Sequence, residues 1–170
     1  VLLAERLMDE IESWNSGVQI LADEDLALTI GRPPSSVQEM ERLKVDFIVS
    51  IGGDGTILRT IHKMADPVPI LGINMGTLGF LVDVEPADAL ETIKRLLSGF
   101  VVDERSRLKL LLNGVCMPRA TNEIAFLTAS PAKMIEFEIL VDGSLMEDFR
   151  ADGVIIATAT GSTAYAMSAG

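Results

Sequence analysis

Cysteine and histidine are nearly absent from this chain. Its 170 residues include one cysteine, Cys116, and one histidine, His62. A lone cysteine forms no internal disulfide, and the two together are too few for a His/Cys metal cluster. Basic residues are scarce as well: 14 Lys and Arg stand against 25 Asp and Glu, a net charge of −11. That balance opposes binding to nucleic acid or to an anionic membrane surface. No apolar run approaches the roughly 18–20 residues of a membrane span. What the chain does have is 48% apolar and 23% charged residues, enough for a packed core and against global disorder. The expectation is an acidic, soluble, cytoplasmic globular protein. The chain opens at Val1 inside a helical pattern, without a signal-peptide layout, and stops at Gly170 after a Gly/Ser/Thr-rich stretch. Both ends read as cuts through a larger protein.

Leu3, Leu7, Ile11 and Trp14 recur at helical spacing and predict an amphipathic helix over 2–15. Residues 18–22 offer a strand, and 23–36, acidic and then turn-rich, read as a surface loop. Ser36 and Glu39 form a capping box ahead of a short helix to about Leu43. The apolar run 47–51 is of the kind buried in parallel sheets. It is followed by a Gly-rich turn over 52–56, a helix to about Met64, a second buried strand over 67–73 and a second Gly-rich turn over 74–79. Pro86 suits the first turn of a helix lined by Leu90, Ile93 and Leu97 and capped by Gly99. This alternation predicts an α/β region with a parallel sheet. From about 100–105 the pattern turns all-β: Asn113-Gly114 and Asp142-Gly143 are hairpin signals, with strands over 108–112, 135–141, 144–149 and 154–158.

Four segments carry candidate chemistry. Gly52-Gly53-Asp54-Gly55-Thr56 lies between a strand and a helix, where open α/β sheets bind ligands. Glycines let a phosphate approach the backbone, and the helix N-terminus attracts the anion. An Asp there repels a bare phosphate but suits a Mg²⁺ contact or acceptance of a proton from an attacking hydroxyl. Arg59 and Lys63 add local positive charge. The bland alternative is a tight strand-to-helix turn. The second segment, Asn74-Met75-Gly76-Thr77-Leu78-Gly79-Phe80-Leu81, suggests another wall of the site, with Phe80 either stacking on a base or packing in the core. In the third, Asn122-Glu123 can grip sugar hydroxyls or a base edge, or be an ordinary polar pair at a strand end. In the fourth, Arg150-Ala151-Asp152-Gly153 leads to Thr160-Gly161-Ser162-Thr163-Ala164-Tyr165, rich in donors for phosphate or ribose. Lys133 lies between the last two. His62 reads as a helix-surface residue with no catalytic role.

In this order and spacing the four segments resemble the NAD kinase family, particularly its archaeal members. The resemblance covers nearly the whole chain. The first motif is shared with lipid kinases and 6-phosphofructokinases, whereas the Asn-Glu pair and the last motif are far more selective. Departures are Ala159 for a usual Pro, Thr121 for a usual Leu and Ala151 for a usual Gly. The resemblance implies an α/β N-terminal domain over 1–103, its first strand missing, and the beginning of an all-β, sandwich-like domain over 104–170. It implies transfer of the γ-phosphate of ATP, or of polyphosphate, to the adenosine-ribose 2′-hydroxyl of NAD, with Mg²⁺ or another divalent cation. Asp54 resembles the catalytic carboxylate, with a further contact to the metal. Gly52, Gly53, Gly55 and Thr56 correspond to phosphate-binding positions, with Gly55 also close to NAD. Arg59, Phe80, Asn122, Glu123, Lys133, Arg150, Asp152, Thr163, Ala164, Tyr165 and Ser168 correspond to the dinucleotide site. A homodimer or homotetramer is implied. The alternatives are a lipid or sugar-phosphate kinase that shares the first motif, and a non-catalytic dinucleotide-binding module.

Overall fold

The structure is a computed structural model that describes residues 1–14, 17–76, 79–82, 84–130 and 133–169. Asn15 at the end of the expected first helix, Thr77 and Leu78 of the second motif, and Gly170 lie outside the described residues. The chain divides into two units, Val1–Asp103 and Glu104–Gly170.

In the first unit, α1 (Leu2–Ser13) buries Ala4, Leu7, Met8 and Ile11 along one face. Leu7 and Ile11 meet Ile73, Ala89 and Ile93 in the main core, with Leu3, Trp14, Val49, Ile51 and Leu71 packed around them. Ile73 and Ile93 are almost wholly buried, which stabilises the unit by about 1.5–3 kcal/mol each. The expected strand over 18–22 is reduced to a single parallel bridge between Ala22 and Pro34. The expected loop over 23–36 contains a helix instead, α2 (Glu24–Ile30). Asp23 caps it by accepting from the Leu26 N–H at 3.2 Å, and Gly31 closes it in the left-handed conformation. Its acidic residues are thus the first turn of a helix, where they complement the N-terminal dipole. Ala27 is its one fully buried residue, too short an apolar stripe to show periodicity. Arg32, just beyond α2, forms a two-pronged ion pair with Glu12 on α1, at 2.5 and 3.0 Å.

Helix α3 (Val37–Leu43) starts as the capping box predicts, with the Ser36 hydroxyl accepting from the Glu39 N–H at 3.1 Å. Strands β1 (Ile48–Gly52) and β2 (Ile70–Asn74) pair in parallel, Ile48 with Ile70 through Gly52 with Asn74. This register brings the two Gly-rich motifs out side by side, and the Met75 N–H donates to the Gly52 carbonyl at 3.2 Å. The turn expected over 52–56 is far shorter: Gly52 ends β1 and Asp54 already opens α4 (Asp54–His62). Helix α5 (Ala89–Leu96) begins after Pro86, which lies outside it, and Leu97 at its end is exposed. Its buried face is therefore Ala89, Leu90 and Ile93 rather than Leu90, Ile93 and Leu97.

The second unit is built of antiparallel pairs. Strands β3 (Leu111–Leu112) and β4 (Val115–Cys116) join across Asn113-Gly114, both at positive φ, as a type I′ turn requires. The strand expected over 108–112 keeps only this end and a bridge from Leu108 to Ala120. Strand β5 (Glu123–Leu127) pairs with β8 (Gly153–Ala157), while β6 (Ile135–Val141) and β7 (Ser144–Ala151) form a hairpin over Asp142-Gly143. The stretch after β8, expected as a Ser/Thr-rich turn, winds into two 3₁₀ turns, Thr160–Thr163 and Tyr165–Ala169. The hydroxyls of Ser162, Thr163 and Ser168 each donate to the carbonyl three residues back, which suits that tight winding. The chain is thus α/β and then β, as the sequence pattern predicts. Among the described residues, every fully buried apolar side chain belongs to the first unit.

Candidate active site

In the first unit, the candidate residues lie where β1 and β2 end. Asp54 is the first residue of α4, yet its side chain does not cap that helix. It reaches across to the second motif: Oδ2 accepts from the Phe80 N–H at 2.8 Å and Oδ1 from the Leu81 N–H at 3.1 Å. The carboxylate is half-buried and held at both oxygens by backbone, from residues 26 and 27 positions further along the chain. Hydrogen bonds of this charge-assisted kind are roughly twice as strong as neutral ones. Each oxygen keeps a lone pair for another donor.

The neighbouring glycines have different physical roles. Gly52 faces Thr56, whose Oγ1 would lie 2.3 Å from a Cβ at position 52. The Thr56 side chain thus lies over the strand end, and its hydroxyl accepts from the Arg59 guanidinium at 3.3 Å. Gly53 and Gly55 are exposed, with open space where a Cβ would be, and no side chain caps α4. The helix start is therefore open to an anion. Phe80 is 70% exposed, so its ring is not part of the core. Asn74 accepts from the Gly76 N–H at 2.9 Å and, with Met75, Gly76, Glu85 and Pro86, lines a shallow cleft. Lys63 and His62 are exposed at the far end of α4.

The second unit joins the third and fourth motifs. The Asn122 carbonyl accepts from the Thr158 N–H at 2.8 Å, and the Thr158 hydroxyl donates to the Thr121 carbonyl at 2.6 Å. The same hydroxyl accepts from the Gly161 N–H at 3.0 Å. A Cβ at Gly161 would stand 2.0 Å from the Asn122 carbonyl oxygen, so only glycine fits there. Asn122 Oδ1 and Glu123 Oε2 are buried and accept no hydrogen bond within the protein. A buried acceptor left in that state costs about 1–3 kcal/mol, which a donor from a ligand removes. Ala164 is half-buried, and Thr163, Tyr165 and Ser168 are exposed on the adjoining 3₁₀ turns. Asp152 has an exposed side chain, while its carbonyl accepts from the Thr128 N–H at 2.8 Å. Arg150 is exposed on β7 opposite Glu136, and Lys133 is exposed just before β6.

The structure thus brings together Asp54 with Phe80, Gly52 with Thr56 and Arg59, and Asn122 with Gly161. Two participants escape sequence reasoning. Gly79 packs against the Asp54 carboxylate, and Thr158 ties Asn122 to the last motif. Only the glycine-rich spelling of the second motif and the hydroxyl at 158 hinted at them.

These segments fall within two matched domain families. Residues 2–101 match the ATP-NAD kinase N-terminal domain and residues 121–170 the ATP-NAD kinase C-terminal domain. The chain belongs to the NAD kinase family. It is 53% identical to an NAD kinase of Methanosarcina barkeri over 165 residues, 97% of this chain and 60% of that protein. To an NAD kinase of Methanosarcina mazei it is 55% identical over 157 residues, 92% of the chain and 54% of the relative. The chain therefore spans less than two thirds of these NAD kinases. Among solved structures it is similar to yeast NADH kinase complexed with NADH, with a TM-score of 0.83 at 26% identity. That match covers 99% of this chain and 56% of the yeast chain. An Archaeoglobus fulgidus NAD kinase in complex with ATP matches with a TM-score of 0.67 at 38% identity, over 86% of this chain and 59% of that one.

Proposed function

We propose that the protein transfers the γ-phosphoryl group of ATP, or of polyphosphate, to the adenosine-ribose 2′-hydroxyl of NAD, giving NADP. The observation that carries this reading is the Asp54 carboxylate, clamped at both oxygens by backbone amides beside an open helix start. A binding module gains nothing from a fixed negative charge next to phosphates, whereas phosphoryl transfer to a hydroxyl needs an acceptor for its proton. In this reading Asp54 takes the 2′-hydroxyl proton as the oxygen attacks the γ-phosphorus, and the bond to the β-phosphate oxygen breaks to release ADP. Gly52, Gly53, Gly55 and Thr56 form the phosphate cradle, and Arg59 offsets its charge.

The remaining roles follow from the chemistry of each group. Phe80 offers an exposed ring to the adenine. The orphaned Asn122 Oδ1 and Glu123 Oε2 accept from ribose hydroxyls or the adenine edge. Lys133 and Arg150 face the dinucleotide phosphates, and Asp152 holds the nicotinamide end. Thr163, Ala164, Tyr165 and Ser168 line the pocket. No cluster of three metal-ligating side chains occurs among the described residues. Asp54 would be the carboxylate that contacts a Mg²⁺ ion, which would offset the charge of the ATP phosphates. Assembly as a homodimer or homotetramer and a cytoplasmic location belong to the same reading. The test is incubation of the full-length protein with NAD, ATP and Mg²⁺, followed by readout of NADP with an NADP-specific dehydrogenase. Product from diacylglycerol or fructose 6-phosphate instead, or NAD binding without transfer, overturns it.

A further inference from the structure

Gly79 immediately precedes the two residues whose N–H groups hold Asp54. Its backbone does not lie in the left-handed region, unlike that of Gly31, Gly114 or Gly143, so conformation is not what calls for glycine. Space is. A Cβ at position 79 would stand 2.1 Å from Asp54 Oδ1, 2.5 Å from Cγ and 2.6 Å from Oδ2. Comfortable separations between such atoms are nearer ~3.5 Å. All three crowded atoms belong to one carboxylate, so turning it about its own axis relieves nothing. At Gly72, by contrast, a Cβ would meet the end of the longer Ile57 side chain at 2.7 Å and the Val82 methyls at 3.1 and 3.2 Å. With a methyl group at 79, either the carboxylate swings off the Phe80 and Leu81 amides or those amides retreat. Either movement lengthens both hydrogen bonds.

We propose that Gly79 is a positioning residue: its lack of a side chain is what allows the backbone of residues 80 and 81 to fix both oxygens of Asp54 in the orientation that accepts the substrate proton. The proposal deepens the reading of Asp54 as the base and rests on it. It is tested in the full-length protein with Gly79→Ala, Asp54→Ala and the double variant. Gly79→Ala is expected to lower kcat about 100-fold, the scale of a ~1 Å misplacement of a reacting group. The KM for ATP stays within about threefold, and the fall in kcat exceeds any rise in the KM for NAD, which follows only from a shift of Phe80 with its amide. Tm falls in the Asp54 background. In the Asp54→Ala background no carboxylate meets the new methyl, so Gly79→Ala leaves both Tm and the residual kcat unchanged. Wild-type kcat in Gly79→Ala, or an equal Tm loss in both backgrounds, overturns the proposal. If Gly79→Ala alone fails to fold, recovery of the fold in the double variant supports the contact, and failure in both overturns it. Absence of NADP formation by the unmodified protein would refute the kinase reading instead, while the Tm comparison still decides whether Gly79 acts through Asp54.

Discussion

Replacing Asp54 by Asn keeps the size of the side chain and changes only its charge and one acceptor. In the native arrangement the two carboxylate oxygens accept from Phe80 and Leu81, at 2.8 and 3.1 Å. A carboxamide has one oxygen and one NH₂, so one backbone N–H must face another donor whichever way the amide turns. Charge-assisted bonds contribute about 1.5–3 kcal/mol each, a neutral replacement about 1, and an orphaned donor costs about 1–3. Asp54 is half-buried, so water relieves part of the conflict, and the expected stability loss is about 1–2 kcal/mol. The catalytic loss is larger. Removing a general base typically costs about 10²–10⁴-fold in rate, equivalent to about 3–5 kcal/mol of barrier. The assay pairs NADP formation with a urea denaturation midpoint and NAD binding by calorimetry. Turnover is expected to fall by that factor while NAD binding is largely retained. A variant with near wild-type kcat would remove Asp54 from the base role. An unchanged midpoint would show that the two hydrogen bonds contribute nothing.

Three other outcomes follow from the geometry. Thr158→Val deletes the hydroxyl that bonds the Thr121 carbonyl and the Gly161 N–H, and is expected to lower stability by about 2 kcal/mol by urea titration. Asn122→Ala removes an Oδ1 that accepts nothing in the free protein, so that atom's loss costs no internal hydrogen bond; the Kd for NAD, measured by calorimetry, is expected to rise about tenfold. Hydrogen bonding and charge from Arg32 hold the Glu12 carboxyl below its ordinary value of 4.5. A lowered folded-state value means that its contribution is fully present above that pH and is lost as pH falls toward the folded-state value. In Glu12→Gln, acid unfolding curves should therefore lose part of their slope below about pH 4.5 and keep their shape above it.

Short-range devices were legible because their physics is local. The Ser36 cap and the two hairpins at Asn113-Gly114 and Asp142-Gly143 each depend on a few consecutive residues. The periodicity of α1 and the two buried strands were legible because many apolar residues repeat the same message. Helix α2 was not, since it rests on one buried alanine and on caps that resemble loop residues. The end of α5 departs from the periodicity for a related reason: Leu97 continues the apolar spacing but lies beyond the last helical turn, exposed. The four motifs pointed to a site, but not to how their members touch. Thr56 lies over Gly52 and accepts from Arg59, and Phe80, in a setting that more often reads as core, stands in solvent.

By itself the sequence determined the class of fold, the motifs and the family, because periodicity, turn chemistry and motif order are properties of neighbouring residues. The tertiary structure alone decided that Asp54 is gripped by the backbone at 80 and 81, that Gly79 must be bare to allow it, and that Thr158 links Asn122 to Gly161. Those contacts join segments far apart in the chain. They depend on where the parallel register of β1 and β2 and the antiparallel register of β5 and β8 bring the strand ends, and no local pattern encodes those distances.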